Sequence, residues 1–428
     1  MNQFVSKIWH SAGARNVGKL LSANIIAQAI GLLVYPILTR LYSPEDFGLL
    51  NLFSSIAGVL ILLSTLEWYN AIVLPKNEKE GRALAHLSLV CIAMVSLLIA
   101  LTIPFAGSIA DLFHSPDLAQ YYWLLPIYVA MMGIWNVLNY WYIRKKEYGY
   151  ISGYQISQTL FSAGFKVGFG WIPLLGGLVY ATILSPLCAL IVFILLSAKQ
   201  LTPLLTDWDW QSCKKVAGKY SNFPKYSTPR VVLNNIAGQL PVLVLTPLFG
   251  NKLVGFWGMA IMLAFVPISI VTRALYQVLY QQTTEKVNNN LSIKSYYKHF
   301  SLWTLAVIVP VFALLGWVLP ELTAWLLGDE WRTVGEYIRW MLPWLVGVML
   351  VNSTGFIPDI FGKQKMEFVF EIIMALARAL GVILGIWQND FLMAIAGYSI
   401  GSAIVAGARY IWQLALIRHY EQSLQQAA

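Results

Sequence analysis

Charged residues are scarce in this chain of 428 residues. Asp, Glu, Lys and Arg together make up 11% of it, whereas a soluble domain carries about 25%. Hydrophobic residues make up 58%, and apolar runs of roughly 20 residues, the length that spans a bilayer, occur along the whole chain. A single aqueous core cannot bury this much apolar surface, so the composition excludes a soluble globular protein.

Motifs for catalysis and cofactor binding are missing as well. The three cysteines lie far apart, which excludes a disulfide framework and a paired-cysteine metal site. The five histidines form no pair at metal-ligand spacing, and the sequence has no GxxxxGK[ST] phosphate loop. We therefore expect no cofactor, no metal site and no ATP hydrolysis by this chain, and the short outer segments argue against an enzyme.

Hydropathy predicts an all-α, polytopic membrane protein with about twelve transmembrane helices in two six-helix bundles. Residues 1–197 are predicted to form the N-terminal bundle, residues 198–229 a cytoplasmic linker and residues 230–428 the C-terminal bundle. Six spans in each half give both halves the same orientation, which implies a parallel repeat. The predicted spans are residues 17–39, 46–68, 84–106, 121–142, 151–172, 176–197, 230–249, 254–277, 301–320, 337–358, 366–386 and 391–416.

Positive charge is distributed unevenly along this topology. The formal net charge is +9, and most Lys and Arg residues fall on one side when the N-terminus is placed in the cytoplasm. This asymmetry follows the positive-inside rule. Both termini are therefore predicted to be cytoplasmic, and the basic charge requires no nucleic-acid partner.

The polar linker contains a predicted amphipathic helix. Residues 207–220 combine apolar and basic positions that suit a helix lying on the inner membrane surface. Asp207 or Asp209 is interpreted as the cap of this helix.

Glycines spaced four residues apart recur in three predicted spans. Small residues at this spacing allow helices to approach closely, so these positions are interpreted as structural. The pairs are Gly164 with Gly168, Gly381 with Gly385, and Gly397 with Gly401.

Lys166 lies in the fifth predicted span, about fifteen residues or roughly 22 Å of helix rise from its inner end. It shares one helical face with Gln155, Thr159 and Ser162. A polar stripe inside lipid is expected to face protein or water. Lys166 is therefore a candidate for binding an anionic substrate; the alternative is that it snorkels outward or pairs within the bundle.

Arg378 lies about twelve residues, roughly 18 Å of rise, into the eleventh span and close to its middle. Its planar guanidinium stays charged and suits phosphate oxygens. The alternative is an ion-pair network with Glu371 and Glu367 on the same helical face. Because the fifth and eleventh spans hold equivalent places in the two repeats, Lys166 and Arg378 are predicted to be substrate-binding cations of one cavity.

Neutral polar residues repeat between the first and seventh spans. Asn24-Ile-Ile-Ala-Gln28 is similar to Asn235-Ile-Ala-Gly-Gln239. We expect Asn24, Gln28, Asn235 and Gln239 to line the cavity and bind sugar hydroxyls, with helix-to-helix hydrogen bonding as the alternative.

Two acidic residues are candidates for coupling transport to an ion. Glu67, near the inner end of the second span, would carry a proton if burial raised its pKa; the alternative is a carboxylate at headgroup level. Glu371 is the second candidate, in the eleventh span.

The first span is followed by Thr39-Arg-Leu-Tyr-Ser-Pro-Glu-Asp-Phe-Gly48, a signature-like turn. Together with Arg144-Lys-Lys-Glu147 and Lys219-Tyr-Ser-Asn-Phe-Pro-Lys225, it resembles the polysaccharide transporter family of the multidrug/oligosaccharidyl-lipid/polysaccharide exporter (MOP) superfamily, the flippases of O-antigen and exopolysaccharide repeat units. The resemblance implies a bacterial inner-membrane protein. Its substrate would be a polyprenyl diphosphate that carries an oligosaccharide and moves from the inner to the outer leaflet through a cationic cavity.

The expected partners are this lipid-linked oligosaccharide and membrane lipids, and an association with polysaccharide polymerase machinery is left open. Two other functions are weighed. A cation-coupled multidrug antiporter of the same superfamily would share the architecture but would favour acidic cavity residues. A membrane polysaccharide polymerase or ligase would need larger outer segments.

Overall fold

The computed structural model describes residues 12–172, 176–206 and 208–427, with side chains from residue 26 onward except at positions 199, 203, 205, 206, 277 and 427. All regular secondary structure in these residues is helical, which confirms the all-α class. A helix satisfies its own backbone N–H and C=O groups, as an apolar chain requires in lipid. The chain divides into two compact units, Met1–Gln239 and Leu240–Ala428.

Unit 1 (Met1–Gln239) contains six long helices, one amphipathic helix and several shorter helical turns among its described residues, and it ends within the next helix. Helix α5 packs against α1 and α6, and α3 packs against α4 and α7. The helices are α1 (Ala12–Leu41), α2 (Pro44–Thr65), α3 (Glu78–Ala100), α4 (Leu124–Lys145), α5 (Tyr148–Trp171), α6 (Gly177–Thr206) and α7 (Trp210–Lys219).

Unit 2 (Leu240–Ala428) contains the remaining long helices. Helix α12 packs against α10 and α11, and α9 packs against α10. Helix α8 is broken at Gly250, where φ is 81° and ψ is 172°, a conformation that glycine adopts without steric cost. The helices are α8 (Thr228–Asn288), α9 (Lys294–Leu327), α10 (Arg332–Ser353), α11 (Gln364–Trp387) and α12 (Phe391–Ala427).

Each of the twelve predicted spans overlaps a long helix, and the two arms of α8 on either side of Gly250 are the seventh and eighth. Eight described helices are long and apolar enough to cross a membrane by length and composition alone, with both arms of α8 counted as one. Helices α4 and α5 fall outside this group because Asn, Gln, Ser and aromatic residues replace aliphatic ones. Of helix α1, only the segment Ile26–Leu41 is assessed, and this segment is apolar but shorter than a membrane span.

Some helices continue beyond the predicted spans. Helix α8 runs on to Asn288, and α9 already begins at Lys294. Leu279, Ile293 and Tyr297 are buried there in one cluster. This packing keeps the backbone helical where Lys and Glu residues interrupt the hydropathy.

The signature-like turn between α1 and α2 is a capping box. The Ser43 hydroxyl accepts from the Asp46 backbone N–H (3.3 Å), and the Asp46 carboxylate accepts from the Ser43 backbone N–H (3.0 Å). Pro44 occupies the first helical position, where its missing N–H costs nothing. The sequence of this turn therefore fixes the start of α2.

The predicted linker helix is present as α7. The Asp209 carboxylate accepts from the Gln211 backbone N–H at 3.0 Å and caps the helix, which confirms the capping interpretation; Asp207 lies outside the described residues. Cys213 and Val216 are buried, while Lys214 is exposed. Helix α7 is thus amphipathic, and its position on a membrane surface stays a prediction.

The division between the units falls inside α8, after the predicted start of the C-terminal bundle at residue 230. The first turns of α8 contact α2, where the Ser55 hydroxyl donates to Gln239 Oε1 at 3.0 Å. This contact joins Gln239 to unit 1. The predicted boundaries 1–197, 198–229 and 230–428 stay predictions.

Candidate functional site

Small residues bring α11 and α12 of unit 2 into backbone contact. A Cβ added to Gly381 would lie 2.2 Å from the Gly397 carbonyl carbon, and one added to Gly385 would lie 2.2 Å from the Ala394 Cα. Gly401 likewise faces the Ala377 carbonyl oxygen, at 2.9 Å from an added Cβ. The structural interpretation of these glycines is confirmed. No described atom lies within 4 Å of a Cβ added at Gly164 or Gly168 in α5.

Arg378 lies at this close contact. Its Nε donates to the Ser402 hydroxyl of α12 at 3.1 Å. Its guanidinium carbon lies 5.1 Å from the Tyr398 ring centroid and 5.4 Å from that of Trp344. Both rings are buried, and cation–π contacts of this kind stabilise a guanidinium where water is scarce.

The terminal N–H groups of Arg378 donate no hydrogen bond to a described residue, and its Nε alone does so. No ion pair joins Arg378 to a carboxylate among the residues that the structure describes, and the side chain is partly exposed. Arg378 is thus held by Ser402, Trp344 and Tyr398, without an acidic partner among the described residues.

The acidic residues of α11 pair with a different arginine. Arg409 of α12 donates from Nη1 to Glu371 Oε1 at 3.0 Å and from Nη2 to Glu367 Oε1. Glu371 lies seven residues before Arg378, about 10 Å away along the helix. The predicted alternative for Arg378, a network with these two carboxylates, is therefore wrong.

The Arg409 triad, formed by Arg409, Glu367 and Glu371, is partly buried. The exposed fractions of the side chains are 16%, 20% and 37% respectively. Glu367 Oε2 and Arg409 Nε are buried without a described hydrogen-bond partner. With two acids and one base, the triad carries one net negative charge when all three groups are ionised.

Lys166 of unit 1 lies on a partly exposed face of α5. Its backbone carbonyl accepts from the Tyr42 hydroxyl at 2.7 Å, which ties α5 to the end of α1. No hydrogen bond or ion pair joins its ammonium group to a described residue. Of the polar stripe, Thr159 donates to the Gln155 backbone carbonyl at 2.9 Å, and Gln155 Oε1 is buried without a described partner.

The four neutral candidates differ in their surroundings. The side chain of Asn24 lies outside the described part of the chain. Gln28 Oε1 and Asn235 Oδ1 are buried without a described hydrogen-bond partner. Gln239 makes the helix-to-helix hydrogen bond with Ser55 given above, which matches the alternative interpretation for that residue.

Glu67 is buried in a tight turn after α2. It is 4% exposed and has a φ of 60°, in the left-handed region that costs a side-chain-bearing residue energy. Its carboxylate accepts from the Tyr69 hydroxyl at 3.0 Å and from the Asn70 amide. No described cation pairs with it, so this buried carboxylate is held by neutral donors only.

A family model described as "Polysaccharide biosynthesis protein" matches residues 37–336. The match covers more than half of the chain. The chain belongs to this polysaccharide biosynthesis protein family. The matched range begins before the capping box of α2 and runs into α10, so it covers parts of both units. No curated protein sequence matches the chain.

Solved structures place this family member in a known fold. An inward-facing multidrug resistance MATE family transporter of the MOP superfamily aligns with a TM-score of 0.69 and 15% identity, covering 92% of this chain and 96% of that chain. An outward-facing conformation of such a transporter aligns with a TM-score of 0.59 and 16% identity, covering 97% and 98%.

A MOP superfamily transporter from Pyrococcus furiosus, described as having a binding pocket of reverse polarity that suggests a different function, aligns with a TM-score of 0.60 and 14% identity, covering 97% of this chain and 98% of that chain. At these identities the likeness concerns the fold. The chain thus has the MOP-transporter fold, and the resemblance inferred from its sequence is confirmed.

Sequence reasoning missed Arg409 in this polysaccharide biosynthesis protein, because the residue lies near the end of a predicted span where basic residues are common. A signal was nevertheless present. Helices α11 and α12 are joined by the short turn at residues 388–390, so residues at equal distances from that turn lie opposite each other. This rule brings Arg409 to within about one helical turn of Glu371, and Ser402 to within about one turn of Arg378.

Proposed function

We propose that this protein is a flippase that translocates polyprenyl-diphosphate-linked oligosaccharide repeat units from the inner to the outer leaflet of the bacterial inner membrane by alternating access. The product would supply the synthesis of O-antigen or exopolysaccharide. The observation that carries the proposal is Arg378, a permanent cation inside a membrane helix that is held by aromatic rings and has no carboxylate partner among the described residues.

The physical need for such a residue follows from the substrate. A diphosphate must cross about 30 Å of hydrocarbon, where a single charged side chain at the centre already costs about 3 kcal/mol or more. Arg378 would replace part of the lost hydration by bidentate hydrogen bonds to phosphate oxygens. Lys166 is a second candidate for the anion, and Gln28 and Asn235, each with a buried side-chain oxygen that lacks a described partner, are candidates for sugar hydroxyls.

Glu67 and Glu371 remain the candidates for coupling transport to an ion. Protonation of Glu371 would weaken its pairing with Arg409, and Glu67 would be neutralised without losing a described cation. If either residue couples transport to a proton, Glu67→Gln or Glu371→Gln will abolish the stimulation of leaflet exchange by an imposed pH gradient. Unchanged stimulation in both variants would remove these residues from the coupling.

A cation-coupled multidrug antiporter is the second candidate function. The observation that favours it is the buried carboxylate of Glu67, because an acidic group could bind a proton or a cationic drug. The MOP-transporter fold is compatible with both functions, since the MATE transporters that share it are multidrug resistance proteins. A polymerase or ligase activity has no supporting observation in the described residues.

The decisive experiment is leaflet exchange of a fluorescent polyprenyl diphosphate oligosaccharide in proteoliposomes. The chain would be compared with Arg378→Gln, with Arg378→Lys and with the matched control Arg418→Gln, which makes the same change at an exposed position of α12. Loss of two charge-assisted hydrogen bonds, worth together about 3 kcal/mol, predicts a roughly 100-fold loss of apparent affinity in Arg378→Gln.

The apparent affinity of Arg378→Lys should lie between those of Arg378→Gln and the unmodified protein, because lysine keeps the charge but not the bidentate geometry. Arg418→Gln should behave as the unmodified protein. Equal exchange by Arg378→Gln and the unmodified protein would remove Arg378 from the substrate site. No exchange above protein-free vesicles, together with gradient-driven uptake of a fluorescent cationic drug, would favour the antiporter.

A further inference from the structure

Unit 1 contains a pocket that the proposed transport mechanism does not use. It lies where α3, the end of α6 and the start of α7 meet, and its volume is about 330 Å³, at the lower end of the range for small-molecule sites. Its lining consists of Lys79, Arg82, Ala83, His86, Trp208, Asp209 and Ser212.

The walls of this pocket are held in place by buried contacts. The His86 side chain is 1% exposed, and its Nε2 donates to the Leu204 carbonyl of α6 at 2.6 Å. The same imidazole stacks on Trp208 with ring centroids 4.3 Å apart and an interplanar angle of 18°. The Cys213 thiol donates to the Ala83 carbonyl at 3.5 Å. Helices α3, α6 and α7 are thereby joined around the cavity.

The charged groups of the pocket come from two helices. Lys79 is exposed in the first turn of α3, and Arg82 is partly exposed one turn later. Asp209 is the only described acid in the lining, and its carboxylate accepts from Ser212 Oγ at 2.5 Å and from the Gln211 backbone N–H. These hydrogen bonds lower the pKa of Asp209. The lining therefore carries one net positive charge at neutral pH.

The surroundings indicate what this cationic pocket binds. Helix α7 is amphipathic, with Cys213 and Val216 buried and Lys214 exposed, as expected of a helix at a membrane surface. Trp208 lines the pocket and is 49% exposed, and tryptophan is enriched at the level of lipid headgroups. Basic pockets at this level suit the phosphates of lipid headgroups.

We propose that this pocket binds the phosphate of an anionic membrane lipid, with Lys79 and Arg82 as its ligands and Trp208 as the wall that borders the lipid. The lipid is either an anionic phospholipid of the bilayer or the polyprenyl diphosphate itself. The site lies within unit 1 and is separate from Arg378 of unit 2. Its occupancy therefore does not depend on the proposed flippase function.

Native mass spectrometry of the purified, detergent-solubilised chain tests this proposal. The protein would be titrated with phosphatidylglycerol, with undecaprenyl diphosphate and with phosphatidylcholine as the reference lipid. Lys79→Gln should weaken binding of the two anionic lipids about fivefold, the effect expected for one basic residue near a lipid surface. The matched control Lys214→Gln, an exposed residue of α7 that does not line the pocket, should leave binding unchanged.

Asp209→Asn supplies a change of the opposite sign. Asparagine caps helices as well as aspartate does, so α7 should be retained while the only acid of the described lining is neutralised. This variant should bind the anionic lipids more tightly. A thermal melt of each variant checks that it folds. Because exposed Lys79 is changed alone, the test requires no substitution at Arg82.

The outcome separates the two sources of the phosphate. Stronger binding of phosphatidylglycerol would indicate a resident phospholipid, and stronger binding of undecaprenyl diphosphate would indicate a docking site for the polyprenyl carrier. Equal retention of all three lipids would overturn the proposal, as would equal losses in Lys79→Gln and Lys214→Gln. None of these results depends on leaflet exchange, so failure here and failure of the flippase proposal are distinguishable.

Discussion

Replacing Gly381 by alanine should open the α11–α12 contact that positions Arg378. The new Cβ would lie 2.2 Å from the Gly397 carbonyl carbon and 2.4 Å from the Tyr398 backbone nitrogen. Both neighbours are backbone atoms, which cannot rotate away as a side chain can. Ordinary van der Waals contact begins at 3.4 Å, so the helices must separate locally by the difference between 3.4 and 2.2 Å, about 1.2 Å.

This displacement has two measurable consequences. Overpacking of a tight contact costs about 1–3 kcal/mol, of which the higher helix propensity of alanine recovers about 1 kcal/mol. The Arg378–Ser402 hydrogen bond, now 3.1 Å, would lengthen beyond the hydrogen-bonding range. We therefore expect a lower melting temperature and weaker substrate binding from a residue that does not touch substrate.

Gly407→Ala in α12 is the matched control. An added Cβ at Gly407 would meet no described atom within 4 Å, so this variant should be as stable as the unmodified protein or slightly more stable. Thermal unfolding in detergent, followed by intrinsic fluorescence, and leaflet exchange in proteoliposomes would be measured for both variants. Equal melting temperatures for Gly381→Ala and Gly407→Ala would refute the claim that this contact is sterically closed.

Two further predictions concern arginines that hold helices together. Arg409→Gln should destabilise unit 2 by about 2–3 kcal/mol, because it leaves Glu367 and Glu371 one helical turn apart without their cation. The triple variant, in which both acids are also changed to Gln, should be less destabilised. A lower melting temperature for the triple variant than for Arg409→Gln would contradict this prediction. Arg144→Gln should cost about 2–4 kcal/mol, because the guanidinium donates to the backbone carbonyls of residues 72, 75 and 77 at 2.9, 2.6 and 3.1 Å. Its neighbour Lys145, in an exposed ion pair with Glu78, is the control, and Lys145→Gln should change the melting temperature little; similar losses in both variants would rule out the proposed role of Arg144.

The helices were predictable because hydropathy measures how apolar a segment is, and the apolar character of a segment decides whether it is stable in lipid. An apolar run of the right length must become a helix in a bilayer, since no other single segment satisfies its backbone there. The ends were less predictable. Helix α9 begins at Lys294 because Ile293 and Tyr297 are buried in a cluster with Leu279 and Phe356, and a hydropathy window sees only the charged residues near these positions.

The sequence was sufficient to identify the arginine of the candidate site, but not to identify which residues form ion pairs there. The depth of Arg378 in a predicted span identifies it as a candidate, and helical periodicity offers the carboxylates on the same face of α11 as its partners. The structure pairs both carboxylates with Arg409 instead. Same-helix spacing gives the residues that share a face, but the partner across a helix contact depends on the register of the neighbouring helix.

The sequence by itself determined the membrane environment, the all-α class, the positions of the twelve helices and the cap of α7, because each of these follows from the composition or from contacts between near neighbours. Only the tertiary structure decided that Arg378 faces Trp344 and Tyr398, that Arg409 holds the acids of α11, and that Lys79 and Arg82 meet Trp208 around a pocket. These contacts join residues on different helices, and they depend on how closely small residues and buried side chains let the helices approach.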